Sequence, residues 1–377
     1  MKIIYFTTAQ KNSDFSASLP KWKKAPNTSN QNFHNKLIRA LSTKHEVFVI
    51  AVRPINDNFA EKELRREYKA EGKVIWNYIK VKNSKVDKLL FTHSRVMDFL
   101  FDRVDKDDVV LVDTLSRLLL IEALKIKRKY HVRAFGICTD NPYNISYTTK
   151  SNNDHQMKLA RELDGYIALT DKINELFNPG NKPHVIIDGI NEEESFSKDR
   201  KMKEDYIFFG GSLMKKYGVY NLIDAFKQLN KDDIKLVLCG HHEEDDFKEY
   251  IKGNDNIIYL GTLNYDEVRN YASNALVCVN PRPENEEIDL YSIPSKTLEY
   301  LACGSLTITT KNILLQSKYN DAIIWAESGE VEDIKKALTT ALDMSTSERK
   351  EKINLGKRLI KKYTSFESVS AEMEKLF

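Results

Sequence analysis

The chain has 377 residues, 41% hydrophobic and 30% charged, with a formal net charge of +3. That length exceeds the usual single core and calls for two domains, and so small a charge argues against nucleic acid as a partner. The longest apolar candidate for a membrane span, residues 109–124, is interrupted by Asp113, Arg117 and Glu122.

The first eight residues, MKIIYFTT, are too short an apolar run for a signal peptide and read as a first strand. A long polar loop follows at 9–30, holding Pro20, Trp22 and Pro26, before a helix at 32–41. Loops of that length are often functional, and Trp22 could stack on a ligand or pin the loop to the core. Further strands are expected at 47–52, 109–112, 132–137, 166–169 and 184–187, with helices at 118–129 and 171–176. The helix at 118–129 ends in Lys125, Lys127, Arg128 and Lys129, a group that could touch anionic lipid or simply favour a helix end. After the strand at 132–137 stand Thr139 and Asp140; Asp140 could bind or activate a ligand hydroxyl, or cap the next turn.

Residues 191–204, NEEESFSKDRKMKE, carry almost no apolar content and mark the domain boundary. The pattern then restarts, with strands at 206–209, 235–239, 256–259, 275–279 and 305–309. Helices are expected at 219–229, 265–273, 295–301, 331–342 and 347–363. Alternating strands and amphipathic helices predict parallel sheets covered by helices. The expected division is 1–197, 198–364 and a terminal helix at 365–377 with Phe366, Val369, Met373 and Phe377 on one face. Cys138, Cys239, Cys278 and Cys303 lack paired metal spacing, as do the adjacent His241 and His242, so a reduced cytoplasmic protein without a metal is expected.

The most informative stretch is PSKTLEYLACG at 294–304, after an apolar strand and a polar loop at 281–293. On a helix beginning there, Ser295 and Glu299 share a face. Free N–H groups and the Lys296 ammonium suit phosphate oxygens, and a glutamate suits a ribose diol. Alternatively Ser295 caps the helix and Lys296 and Glu299 offset one another. Gly210 and Gly211, directly after a strand, would offer backbone N–H groups to the same ligand or make a packing turn.

The stretch resembles the donor-site helix of retaining GT-B glycosyltransferases of family 4, in the branch reading P-S-K-x-x-E-Y, and the resemblance extends more weakly along the chain. It implies an α/β protein of two Rossmann-like domains facing across a cleft, an acceptor-side domain followed by a nucleotide-sugar donor domain, with the terminal helix crossing back to the first. It also implies retaining hexosyl transfer without a required cofactor, from a nucleoside-diphosphate sugar, UDP-linked by preference. The donor sugar would be a hexose or N-acetylhexosamine, and the acceptor a hydroxyl of a glycan or lipid-linked glycan, as in polysaccharide biosynthesis. In this reading Gly210, Gly211, Ser212, Lys216, Ser295, Lys296 and Glu299 bind the donor, and Lys296, Asp140, Arg282 and Tyr291 serve the transfer.

Three positions depart from the family pattern. Ser212 and Tyr217 stand where an arginine and a lysine usually face the diphosphate, and Tyr291 stands where a glutamate usually holds the sugar. Lys296 is then the main cation, with Lys216 and Arg282 as candidates beside it, while Glu286, Glu287 and Asp289 could reach the sugar from their loop. A nucleotide-sugar epimerase or hydrolase, and a catalytically impaired stabilising partner, are the alternatives. A peripheral contact at the inner face of the cell membrane fits a lipid-linked acceptor; the oligomeric state stays open. The two domains are expected to close around donor and acceptor.

Overall fold

The computed structural model describes residues 1–18, 28–52, 67–79, 92–145, 148–192, 200–242 and 246–377. Trp22, Pro20 and Pro26 of the first polar loop, and 193–199 of the boundary segment, lie outside them. So does the side chain of Glu286.

Two units emerge, Met1–Ile190 with Phe366–Phe377, and Asn191–Ser365. The first is built on an eight-stranded sheet: β1 (Lys2–Thr7), β2 (Glu46–Ala51), β3 (Glu67–Glu71), β4 (Val74–Tyr78), β5 (Val109–Asp113), β6 (Arg133–Cys138), β7 (Gly165–Ala168) and β8 (His184–Ile186). Their order is β3-β4-β2-β1-β5-β6-β7-β8. Strands covered on both faces read as continuous apolar runs, and β5, VVLVD, is buried at every position. The sheet departs from the expected all-parallel form at one edge, where β3 pairs antiparallel with β4. A two-residue turn joins them, and Gly72 supplies the positive φ (+56°) that its first central position requires.

The helix Thr28–Ser42 buries His34, Leu37, Ile38 and Leu41, residues spaced to share one helical face. The helix Phe366–Glu374 packs against it and sends Val369 and Met373 into the core of the first unit, followed there by Leu376. Lys44 Nζ meets Glu374 Oε2 at 2.8 Å, and Arg133 Nη1 donates to the Leu376 carbonyl at 3.2 Å.

The second unit is built on β9 (Asp205–Gly210), β10 (Ile234–Cys239), β11 (Ile257–Tyr259), β12 (Val277–Asn280), β13 (Thr307–Thr310) and β14 (Ile323–Ala326). Their order is β11-β10-β9-β12-β13-β14, all parallel. The helix Ser295–Cys303 packs against the helices Tyr265–Asn274 and Thr346–Thr364. Gly356 makes the second contact possible, since a Cβ there would stand 2.9 Å from Leu301. Two expected loops contain helices: Asn12–Ser18 in the first polar loop and Glu286–Tyr291 in the acid-rich loop before the 294–304 stretch.

Candidate active site

The chain runs from β9 through β10 to β11 on one side of the second sheet, and from β12 through β13 to β14 on the other. Loops therefore diverge at the carboxyl ends of β9 and β12, the position where parallel sheets bind ligands. Four stretches converge on that edge: Gly210-Gly211-Ser212, Gly240-His241, Pro281-Arg282 and the start of the helix Ser295–Cys303.

Gly211 lies directly beneath Lys296. A Cβ at Gly211 would stand 2.3 Å from Lys296 Cε and 2.6 Å from its Nζ, and one at Gly240 would stand 1.7 Å from the Gly211 carbonyl oxygen. The glycines thus let a lysine lie flat across the strand ends. They do not offer N–H groups to a ligand, as the sequence suggested: Gly210 N donates to Tyr300 Oη at 3.0 Å and Gly211 N to the Cys239 carbonyl at 2.8 Å. The Cys239 thiol behind them is pushed up to about 12 by burial, with the Lys296 charge pulling the other way.

The helix carrying Lys296 begins after Pro294, which is its N-cap, so Ser295 is an exposed first-turn residue and not the cap. Its start is fixed by Asn280 at the end of β12, whose Nδ2 donates to Thr297 Oγ1 at 3.0 Å. Thr309 Oγ1 in turn donates to the Asn280 carbonyl at 3.2 Å. Asn280, Thr297 and Tyr300 are the positioning residues that sequence reasoning missed; a polar residue closing an apolar strand was their one signal. Glu299 is half-buried on the next turn.

Ser212 Oγ is buried and has no hydrogen-bond partner among the described residues. Lys216 is exposed and lies 5.2 Å over the ring of its neighbour Tyr217. Gly218 closes that turn at φ +76°, so tight against the next loop that a Cβ would stand 1.9 Å from the Pro281 carbonyl oxygen. Arg282 is half-buried, and Thr310 Oγ1 donates to its carbonyl. Tyr291, also half-buried, ends the helix Glu286–Tyr291. Glu287 is exposed, while Asp289 is buried and accepts from Asn285 N at 3.1 Å. Gly210, Gly211, Ser212, Ser295 and Lys296 thus share one edge, and Lys216 is turned to its own tyrosine.

In the first unit Asp140 follows β6. Its Oδ1 accepts from Asn141 N at 2.7 Å, but the cap of the turn Pro142–Asn144 is Asn141, whose side chain accepts from Tyr143 N at 3.0 Å. Asp140 is exposed, and desolvation by its neighbours raises its pKa, the Asn141 N–H opposing it. The basic residues of the helix Arg117–Tyr130 are engaged within the unit. Lys125 meets Glu122 at 2.8 Å and Lys127 meets Asp164 at 2.6 Å, while Arg128 pairs with Glu162 and Lys129 rests 3.8 Å from Met97 Sδ. His242 stacks on Phe247 at 5.1 Å, and no cluster of three or more His, Cys, Asp or Glu suited to a metal occurs among the described residues.

Residues 190–359 match the family described as Glycosyl transferases group 1. Among solved structures the chain is similar to sucrose-phosphate synthase from Thermosynechococcus elongatus, at 13% identity and TM-score 0.69, covering 100% of this chain and 98% of that one. The Anabaena protein Alr3699/HepE, solved in complex with UDP, is 12% identical with TM-score 0.68, covering 100% and 99%. An E. coli structure described as trehalose-6-phosphate bound with UDP-2-fluoro glucose is 12% identical with TM-score 0.66, covering 100% and 98%. No curated protein matches the sequence. The chain therefore has the GT-B fold, the match to the group 1 model falls almost wholly on its second unit, and together they make it an enzyme of the glycosyltransferase kind.

Proposed function

We propose that the chain transfers a hexose or N-acetylhexosamine, with retention, from a UDP-linked sugar to a hydroxyl of a glycan or lipid-linked glycan. One observation carries the donor half: the Lys296 ammonium lies over Gly211 at the switch point of the second sheet, on a helix that presents Ser295 and Glu299 beside it. A lysine held there suits a diphosphate whose charge grows as the bond from the anomeric carbon to the phosphate oxygen breaks. Glu299, one turn further, suits the ribose diol. The acceptor oxygen then bonds to the anomeric carbon, and its proton passes to the departing phosphate. The first unit is the acceptor side in this reading, with Asp140 at the carboxyl end of β6 as its hydroxyl-binding carboxylate. The UDP found with Alr3699/HepE supports uridine as the base.

A peripheral contact with anionic lipid at the inner face of the cell membrane belongs to the same reading. The internally paired residues at 125–129 do not support it, but the helix Thr346–Thr364 does. It carries seven basic residues against two acidic ones, a net +5 when the whole chain is +3, and Lys350, Lys357, Arg358, Lys361 and Lys362 on it are exposed. Titration with a panel of nucleoside diphosphates, followed by transfer assays with the matching sugar nucleotides, tests the proposal. UDP should bind, and Lys296→Ala should lose more in transfer than in nucleotide affinity. Binding of no nucleoside diphosphate would end it.

A further inference from the structure

The first sheet has its own switch point, between β1 and β5, where the chain departs to β2 on one side and to β6 on the other. Three ionisable side chains meet there. Tyr5 Oη lies 2.6 Å from His34 Nδ1, and His34 Nε2 lies 3.4 Å from Asp113 Oδ2; none is more than 1% exposed. Tyr5 comes from the middle of β1, Asp113 closes β5, and His34 stands in the second turn of the helix Thr28–Ser42, so the relay ties three elements together.

The relay has a direction. Burial opposes ionisation of Asp113, but His34, the Leu115 N–H at 2.9 Å and the Asn30 amide at 3.4 Å outweigh it and hold the carboxyl below its ordinary range. Nε2 has no hydrogen-bond partner among the described residues, but at 3.4 Å it faces the Asp113 carboxylate, which accepts only, so a proton on Nε2 suits that contact. Burial keeps the Tyr5 hydroxyl protonated, and that hydroxyl donates to Nδ1. Cys138 on β6 is the further ionisable group facing Asp113, and burial keeps its thiol protonated as well. Apolar side chains would bind the helix to the sheet at less cost than a buried carboxylate. The outer end of the relay is Asn30, half-buried at the carboxyl edge of the sheet, with Asp140 at the end of the adjacent strand.

We propose that His34 is a positioning residue for the acceptor step: through Asp113 it fixes Asn30 and the start of the helix Thr28–Ser42 at the carboxyl edge of the first sheet, forming a polar subsite for a hydroxyl-rich acceptor. The inference rests on the glycosyl-transfer reading above. Its test uses the full chain and its His34→Leu, His34→Gln and Tyr5→Phe variants, with UDP calorimetry beside steady-state kinetics. The donor is UDP-glucose or UDP-N-acetylglucosamine, and the acceptor is the p-nitrophenyl glycoside that wild type uses best. His34→Leu should raise the acceptor KM about tenfold or more while UDP affinity and donor KM stay within about twofold. His34→Gln, whose amide can still donate to Asp113, should restore most of the loss, and Tyr5→Phe should show a smaller change of the same kind. Should His34→Leu fail to fold, the other two variants decide. An unchanged acceptor KM in a folded variant overturns the proposal, as does a loss shared equally by donor and acceptor and not rescued by glutamine. Wild type that binds no nucleotide and turns over no acceptor would instead overturn the transfer reading, and this inference with it.

Discussion

In the proposed donor site Lys296 and Glu299 would divide the work of holding a nucleotide by their chemistry, one a mobile cation and the other an acceptor of paired hydroxyls. Glu299→Gln should weaken UDP binding by about 1.5–3 kcal/mol, the range for a hydrogen bond to a charged group, with the fold intact. Calorimetry on the folded variant reads this directly, and equal affinity removes Glu299 from the site. Asp113 offers a prediction in pH. Its folded pKa is lowered from the ordinary 3.8, so the stability it contributes is present above that value and lost as pH falls through the folded one. Wild type should therefore lose stability steeply in acid, and Asp113→Asn should flatten that limb. The same substitution should cost about 1–3 kcal/mol at neutral pH, because donors buried around the carboxylate lose their acceptor. Chemical denaturation at pH 7, and at a series of pH values falling below 3.8, separates the two effects, and parallel curves through that acid range would exclude an ionised Asp113.

Among the elements, the helix Ser295–Cys303 was readable because its start, its glycine stop at Gly304 and its apolar face all lie within one short stretch. The helix Glu286–Tyr291 was not, since EEIDLY has too few apolar positions to show a helical period. The strand β14 was hidden because IIWA is four residues long, and short apolar runs fit helix or strand equally. Pairs brought together by the fold leave no local trace either: His34 and Asp113 are 79 positions apart, and Asn280 with Thr297 needed the loop between them to be placed. The helix Thr346–Thr364 carries its own prediction. Lys357→Glu with Arg358→Glu should abolish sedimentation with vesicles containing phosphatidylglycerol, while wild type should bind at low salt and release as salt rises. Equal sedimentation of both proteins would remove this helix as the lipid-facing surface.

At the scale of the whole molecule, each unit has its own sheet and its own buried core, and the last twelve residues belong to the first. Two consequences follow from that division. Removing 366–377 strips Val369, Met373 and Leu376 from the first core, each at most 6% exposed. At about 1.5–3 kcal/mol for each fully buried side chain, the loss approaches the whole stability of an ordinary domain. The truncated protein should therefore unfold its first unit early while β9 to β14 keep their protection from hydrogen exchange. Nucleotide should act on the opposite unit. If UDP rests on Lys296 and Glu299, a concentration about a hundred times Kd adds about 2.7 kcal/mol to whatever unfolds with the site. Exchange mapped by segment should slow in β9, β12 and the helix Ser295–Cys303, and the slowing should survive the truncation. Protection confined instead to β1 through β8 would move the nucleotide to the first sheet and reverse the assignment of donor and acceptor sides.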